Sequence, residues 1–108
     1  MDAHELADVL ARQAASGRPY LEFIRVPDLS VGLYVLPAGG VDGQRPHDED
    51  EVYYVLGGEA RISVGDEVRD VRPGSVVYVA ARVAHHFHDI LTELRLLVFF
   101  APAESVTG

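Results

Sequence analysis

From residue 20 to residue 100 the sequence is divided into short apolar runs of β type, each followed by turn-forming residues. The runs are rich in Val, Leu, Tyr and Phe, and breaks containing glycine, proline or aspartate separate them. Gly65-Asp66 between two of the runs is typical of a tight hairpin. Eight strands with no helix between them predict an all-β antiparallel sandwich or barrel. The predicted strands are 21–26, 30–36, 51–56, 59–64, 67–71, 75–79, 85–90 and 94–100.

Residues 1–18 differ from the rest and predict one short amphipathic helix. Leu6 and Val9 recur at helical spacing, and Asp2 is expected to begin the helix as part of a capping box. Gly17 is expected to end the helix. The helix is expected to act as a cover for a sheet or as part of a subunit contact.

The length of 108 residues fits one domain with one core. The strand pattern places that domain at 20–101, with the helix before it. Residues 102–108 lose the pattern and are expected to form a flexible tail.

The composition excludes several classes of site and partner. With no cysteine, disulfides and thiolate metal sites are excluded, which leaves histidine and carboxylates as ligands. The formal net charge of -8 argues against a nucleic-acid partner. No apolar run approaches the roughly 20 residues of a membrane helix, and the acidic N-terminus lacks the pattern of a secretory leader. These features predict a cytoplasmic protein whose partner is a small molecule, a metal or another protein chain.

Several of the predicted strands are apolar on both faces, notably over 31–36 and 94–100. A sheet with one face in water would alternate between apolar and polar residues more cleanly. The outer face must therefore be covered, by the helix or by a second subunit, and we expect a homodimer.

His47, Glu51 and His85 are of the residue types that bind first-row divalent metals. On one straight strand His47 and Glu51 would stand roughly 13 Å apart, at about 3.3 Å per residue, which is too far to share an ion. If both are ligands, the chain must turn at 48–50, so that His47 ends one strand and Glu51 begins the next. His85 would join from a nearby strand. Two imidazoles and one carboxylate are the donor set of the facial triad of non-haem iron enzymes.

The segment around the first two of these residues resembles the first motif of the cupin superfamily. That motif runs glycine, five residues, His-x-His, three or four residues, glutamate, six residues, glycine. Gly39, Arg45, His47, Glu51 and Gly58 stand at the matching positions. Arg45 replaces the first family histidine, so that a four-ligand site becomes at most a three-ligand site.

The segment around the third residue resembles the second cupin motif, which runs glycine, five residues, Pro-x-Gly, two residues, histidine, three residues, asparagine. Gly74, Ala80, Arg82, His85 and Asp89 stand at these positions. Because arginine does not easily adopt the positive φ of glycine, the loop before His85 is expected to differ in shape from the family pattern.

The resemblance implies a small jelly-roll β-barrel with a short N-terminal α-helix. It also implies a divalent transition metal (Fe, Ni, Mn or Zn) held by His47, Glu51 and His85, and a small polar or anionic molecule in the barrel mouth. The superfamily contains isomerases, dioxygenases, decarboxylases, sugar-binding regulators and storage proteins. If this protein is an enzyme, a metal-dependent oxygenase, isomerase or lyase is expected, and the resemblance does not select among these reactions.

Arg45 leaves three alternatives open. It shares the strand parity of His47, so it could reach into the barrel mouth and bind a substrate carboxylate as a fork. It could instead pair with Glu51 or Glu49 in a protein that has lost its metal. It could also point into solvent. The second alternative corresponds to a different function, a non-enzymatic ligand-binding or structural cupin module without bound metal.

Tyr53 and Phe87 are the other candidates for substrate binding, since they lie on the strand faces that carry the candidate ligands. Packing in the core is the alternative for both. The same alternation makes His86 and His88 face outward, unless a bulge reverses the strand and turns one of them into a substitute ligand.

Overall fold

The computed structural model describes residues 1–105. Its single helix in that range, α1, spans Leu6–Ser16 and ends at Gly17, which adopts the left-handed conformation at φ 68° as the sequence predicts. The predicted start was wrong, because α1 begins after Glu5 and no side chain caps it. Instead, Oδ1 of Asp2 forms a hydrogen bond with Nε2 of His4 at 2.7 Å.

In the described part of the chain eight strands follow α1, and all their pairings are antiparallel. One sheet has five strands in the order β1-β2-β8-β3-β6, and the other has three in the order β5-β4-β7. The predicted all-β class with a short N-terminal helix is confirmed, although the strands form two sheets instead of one closed barrel. The strands are β1 Tyr20–Val26, β2 Leu29–Leu36, β3 Asp50–Gly57, β4 Ala60–Val64, β5 Glu67–Val71, β6 Val76–Val79, β7 His85–His88 and β8 Leu94–Ala101.

Both sheets contribute to one hydrophobic core. The five-stranded sheet supplies Tyr53, Leu96 and Phe100, and the three-stranded sheet supplies Ile62 and Phe87. Along β3 and β8 these inward residues alternate with residues that point away from the core. The alternation places Glu51, the candidate ligand on β3, on the same side as the core, where its carboxylate is removed from solvent.

The outer face of the five-stranded sheet is covered only in part. α1 packs against β1 and β2, and Val9 of the helix is buried there. Across β3 and β6, Tyr54, Val76 and Tyr78 remain exposed. Among residues 1–105, no helix combines the length and the apolar character needed to cross a membrane.

Within the part of the chain expected to form a flexible tail, hydrogen bonds hold the segment after β8 against the strands as far as residue 105. The backbone N–H of Glu104 donates to the hydroxyl of Ser30, and the hydroxyl of Ser105 donates to Glu49. The guanidinium of Arg25 donates to the carbonyl of Glu104. The remaining part of that expectation, 106–108, lies outside the described residues.

Candidate metal centre

The structure brings His47, Glu51 and His85 together at one end of the core. Each offers one ligand atom, and these atoms all lie within 4.8 Å of one another. Glu51 is the second residue of β3 and His85 the first of β7, so the site joins the two sheets. The side chains of Glu51 and His85 are each 1% exposed and that of His47 is 19% exposed, so solvent reaches the site from the side of His47.

The carboxylate of Glu51 is the least satisfied group of the site. Oε1 lies 2.7 Å from Nε2 of His85. At this distance the two groups form an ion pair only when the imidazole is protonated. Neither carboxylate oxygen accepts a hydrogen bond from the described residues. A buried charge in this position is strongly destabilising unless a proton, a cation or a set of donors compensates it. A divalent cation between Glu51 and the imidazoles would do so, and the donor set therefore fits a metal.

The backbone fixes the orientation of the His85 ring. Nδ1 lies 2.9 Å from the carbonyl oxygen of Val83, and because a carbonyl only accepts, Nδ1 carries a proton. In the neutral ring Nε2 then holds the lone pair that faces Glu51. Burial alone would lower the pKa of His85, but the contact with Glu51 and the Val83 carbonyl outweigh it, and the pKa of the metal-free ring is raised.

His47 lies in the loop before β3, and the prediction that it would end a strand was wrong. Its carbonyl oxygen accepts a hydrogen bond from the backbone N–H of Arg82, in the loop that leads to His85. Arg82 adopts φ 68°, a conformation that arginine was not expected to adopt easily. The loop therefore keeps a backbone shape that favours glycine, and the hydrogen bond ties the two histidine-bearing segments to each other.

Gln44 is a site residue that the sequence analysis missed. Its Oε1 accepts a hydrogen bond from the hydroxyl of Tyr53 at 3.0 Å and lies 3.2 Å from Nε2 of His47. The hydroxyl of Tyr53 also lies 3.0 Å from Nε2 of His85. Burial, together with the charge of Glu51, holds the pKa of Tyr53 well above its ordinary value, so its hydroxyl keeps the proton it donates. The Gln44–Tyr53 pair links the two imidazoles.

Asp42 orients the side chain of Gln44 and is a second site residue that was not predicted from the sequence. Its buried carboxylate accepts from the side-chain amide of Gln44 and from the backbone N–H of Phe87, each at 2.8 Å. It also accepts from the hydroxyl of Tyr34 at 2.8 Å. Because each contact is a charge-assisted hydrogen bond in a buried place, Asp42 holds the loop onto β2 and β7.

Arg45 does not lie where strand parity placed it. Its side chain is exposed, and among residues 1–105 it forms no ion pair. The pair with Glu51 that the metal-free alternative invoked is not formed, because Glu51 faces His85. Parity fails here because residues 41–47 are in an irregular loop, where alternation does not apply.

A cavity of about 250 Å³ adjoins His47. Tyr53 and Phe87, the two predicted substrate contacts, are not among its lining residues. Both are buried, and their rings pack edge to face with centroids 4.9 Å apart. The cavity is lined by Tyr20, Tyr34, Gly43, Gln44, His47, Val98, Phe100 and Glu104.

The two further histidines of β7 lie away from the site. β7 pairs with β4 in a continuous register without a bulge, so alternation turns His86 and His88 outward. His86 is exposed, while His88 is bonded to the hydroxyl of Ser63 at 2.7 Å. Neither is a substitute ligand in this arrangement.

Comparisons with known proteins agree with this architecture. The family model described as a cupin domain matches residues 32–100. The chain is 52% identical over 105 residues to a protein of Streptomyces coelicolor named Uncharacterized protein SCO3923, covering 97% of this chain and 100% of that protein.

Two solved structures are also similar. TT1209 from Thermus thermophilus is 27% identical, with a TM-score of 0.77, over 95% of this chain and 99% of that one. An RmlC-like cupin with a double-stranded β-helix fold from Methanocaldococcus jannaschii has a TM-score of 0.70 at 20% identity, over 77% of this chain and 78% of that one. By the family match over residues 32–100, this chain is a member of the cupin family.

Proposed function

We propose that the protein is a metal-binding cupin that holds one divalent transition metal with His47, Glu51 and His85 and binds or converts a small polar molecule beside it. The observation that carries this proposal is the Glu51 carboxylate, which is buried next to two imidazoles and has no hydrogen-bond donor among residues 1–105. Iron, nickel, manganese and zinc all suit two imidazoles and one carboxylate. When bound, such a metal supplies a Lewis acid and a template for a polar group of the ligand.

The residues around the ligands would set the orientation and the spacing of the two imidazoles. The Val83 carbonyl fixes which nitrogen of His85 faces the metal position, as second partners of metal-bound histidines commonly do. Gln44 and Tyr53 would hold the imidazoles apart from each other at the spacing of the ligand cluster. The partial exposure of His47 leaves the side next to the cavity as the side from which a small molecule would approach.

The test is metal analysis of protein purified without a histidine tag, followed by calorimetric titration with each of the four metals. Wild type is expected to bind one equivalent, and His47→Ala or His85→Ala is expected to bind more than about 100-fold more weakly, since loss of an outer partner alone costs up to that factor. His86→Ala is the matched control, because His86 is exposed on the same strand. Equal binding by wild type and His85→Ala would refute the proposal.

A second candidate is a ligand-binding module that works without metal. It is favoured by the 2.7 Å contact between Nε2 of His85 and Oε1 of Glu51, since a protonated imidazole would itself neutralise the carboxylate. Protein without metal whose melting temperature does not change on addition of metal or chelator would support this reading.

We also propose that the protein is a homodimer formed through the exposed part of the five-stranded sheet. Cross-strand pairs put Val52 opposite Tyr78 and Tyr54 opposite Val76, so these side chains share the outer face. Val76 and Tyr78 are more than half exposed, at 65% and 61%. A contiguous apolar patch of this kind is typical of a protein contact. The cytoplasmic location expected from the sequence stays a prediction.

A further inference from the structure

The amide oxygen of Gln44 lies beside the candidate metal centre but is not one of its three candidate ligands. Oε1 is 3.2 Å from Nε2 of His47, and both residues line the cavity beside the site. Two adjacent ligand atoms of one first-row metal, each about 2.1 Å from the ion, stand roughly 3 Å from each other. Gln44 therefore has the separation from His47 that two ligands of the same ion require.

The side chain of Gln44 is held in the orientation that points its oxygen, and not its nitrogen, toward His47. Nε2 of Gln44 donates a hydrogen bond to Oδ2 of Asp42 at 2.8 Å. An amide rotated by half a turn would put its oxygen against that buried carboxylate, with no proton between the two acceptors. The bond to Asp42 also increases the negative charge on the amide oxygen, as outer carboxylates do for metal ligands in general.

The ring of His47 lies between two acceptors. Nδ1 is 3.4 Å from Oε2 of Glu104, and Nε2 faces the oxygen of Gln44. Because a neutral imidazole carries one N–H, one of these contacts always brings two lone pairs together when Glu104 is ionised. The unfavourable contact disappears if Nδ1 donates to Glu104 while Nε2 and the Gln44 oxygen bind the same cation, and an outer carboxylate of this kind is common for metal-bound histidines.

The ring of His85 has the same unsatisfied position. Nδ1 donates to the carbonyl of Val83, so the lone pair of Nε2 in the neutral ring is 2.7 Å from Oε1 of Glu51 and 3.0 Å from the hydroxyl of Tyr53. The hydroxyl does not supply the missing proton, because it donates to Gln44. Each imidazole thus lacks one donor, and one divalent cation bound to both Nε2 atoms compensates for both.

We propose that Oε1 of Gln44 is the fourth ligand of the metal held by His47, Glu51 and His85. The proposal rests on the proposed function, because it assigns a further ligand to the same ion. Gln44 directly precedes Arg45, which stands at the position of the first motif histidine. The irregular loop turns Gln44 toward the imidazoles and leaves Arg45 exposed, so that an amide oxygen takes the place of an imidazole nitrogen.

A role only as a link between the imidazoles would depend on Tyr53 as much as on Gln44. The link consists of the Tyr53 hydroxyl, which lies 3.0 Å from Oε1 of Gln44 and 3.0 Å from Nε2 of His85. Tyr53→Phe breaks both contacts and leaves the amide oxygen, still held by Asp42, in its place. A ligand role therefore predicts a larger loss of metal affinity in Gln44 variants than in Tyr53→Phe, and a link predicts equal losses.

The first test is calorimetric titration of the full chain with Mn²⁺ and with Zn²⁺, after removal of metal from protein without a histidine tag. Gln44→Met keeps the length of the side chain and lacks the oxygen, and it is expected to bind about 10- to 100-fold more weakly than wild type. Tyr53→Phe is expected to lose less than about tenfold, the effect of one neutral hydrogen bond. Gln44→Glu keeps an oxygen at the same position and should bind more tightly than Gln44→Met.

The second test observes the amide itself by NMR. The chain contains two carboxamide side chains, Gln13 and Gln44, so their NH₂ and carbonyl signals are readily assigned. One equivalent of Zn²⁺ is expected to shift the signals of Gln44 and to leave those of Gln13, which lies on α1 and bonds the backbone of Arg18. Gln13→Met is the matched control in the calorimetric titration and should bind metal like wild type. Signals of Gln44 that do not move at saturation would refute the assignment.

The titrations separate this proposal from the proposed function. If wild type binds one equivalent through His47 and His85 but Gln44→Met binds equally well, the fourth ligand fails and the metal centre stands. Equal losses in Gln44→Met and Tyr53→Phe would also overturn the fourth ligand, because Gln44 would then act only as a link. If wild type binds no metal, both proposals fail. The NMR titration uses wild type alone, so a Gln44→Met variant that does not fold still leaves a decisive measurement.

Discussion

Nε2 of His85 lies 2.7 Å from Oε1 of Glu51, and both side chains are buried although they come from different sheets. In the metal-free protein this contact is a proton-dependent one, because the imidazole neutralises the carboxylate only when it is charged. A metal at the same place would require the imidazole to be neutral. The two states of the site therefore respond to pH in opposite directions.

The first prediction concerns the opposite pH responses of the metal-free and the metal-bound site. The pKa of His85 in the folded metal-free protein is raised, so its contribution to stability is present below the unfolded pKa and is lost as pH rises through the folded pKa. Metal affinity should instead increase with pH, because the proton on His85 competes with the metal.

The measurement is the difference in unfolding free energy between wild type and His85→Asn, taken from about pH 6, near the ordinary histidine pKa, to about pH 9. Without metal this difference should shrink toward high pH, and with saturating metal it should grow. His86→Asn, on the exposed side of the strand, should show neither trend. A difference that does not change with pH would contradict the assignment of the contact.

The second prediction concerns Asp42. In Asp42 one carboxylate oxygen accepts from the side chain of Gln44 and the backbone of Phe87, and the other accepts from the hydroxyl of Tyr34 and the backbone of Gln44. Asp42→Asn replaces one of these oxygens by an NH₂ group, so that in either orientation of the amide at least one of the present donors loses its acceptor. We expect a loss of about 1–3 kcal/mol in unfolding free energy, the range for a buried polar group left unsatisfied. Urea denaturation measures it, with Asp48→Asn as the control, since Asp48 is an exposed acid in the same loop. Equal stability of the two variants would show that the network is not required.

Much of the fold could be predicted because its strands carry strong local patterns. β8, predicted at 94–100, is found at Leu94–Ala101, and β1, predicted at 21–26, is found at Tyr20–Val26. Turn chemistry marked the ends of these strands, and alternation along β3 placed Glu51 and Tyr53 on the core side as expected. Because the local sequence determines such features, one sequence is enough to predict them.

The residues around the candidate ligands could not be predicted in the same way. Arg45 was assigned to the site by strand parity, but the loop is irregular, and the side chain of Gln44 reaches the imidazoles in its place. Glu104 was assigned to a tail because its segment has no periodicity. Its position depends on hydrogen bonds to Ser30 and Arg25, more than 70 residues earlier in the chain. Contacts of that kind leave no pattern in the local sequence.

The third prediction concerns Arg82, which adopts φ 68°. For a residue with a Cβ atom this conformation costs roughly 1–2 kcal/mol, and glycine adopts it freely but loses more entropy on folding. We therefore expect Arg82→Gly to raise the free energy of unfolding by about 0.5–1 kcal/mol. Arg82→Ala is the matched control, because it removes the guanidinium and keeps the Cβ atom. If the alanine variant is stabilised as much as the glycine variant, the gain comes from the lost side chain and not from the backbone.

The fourth prediction concerns the exposed part of the five-stranded sheet. Tyr54→Glu would put a charge in the middle of the apolar patch, opposite Val76 and Leu97. If this face joins two subunits, the variant should be monomeric at concentrations at which wild type is a dimer, because burial of an unpaired charge is unfavourable. Light scattering after size exclusion measures the mass. Val68→Glu, on the exposed strand β5 of the other sheet, should remain a dimer. Wild type that is a monomer throughout would refute the proposed interface.

The last prediction concerns the stability of the ligand-free protein. The hydroxyl of Tyr20 is buried and has no partner among residues 1–105, so Tyr20→Phe removes a desolvated polar group without breaking a hydrogen bond. The variant should be more stable than wild type by about 1 kcal/mol, the lower part of the range for an unsatisfied buried group. Tyr34→Phe is the matched control, because the hydroxyl of Tyr34 donates to Asp42 at 2.8 Å and its loss should destabilise the protein. Chemical denaturation of both variants without ligand gives the two values. A destabilised Tyr20→Phe would contradict this prediction, because it would mean that the hydroxyl already has a partner in the folded protein, such as an ordered water.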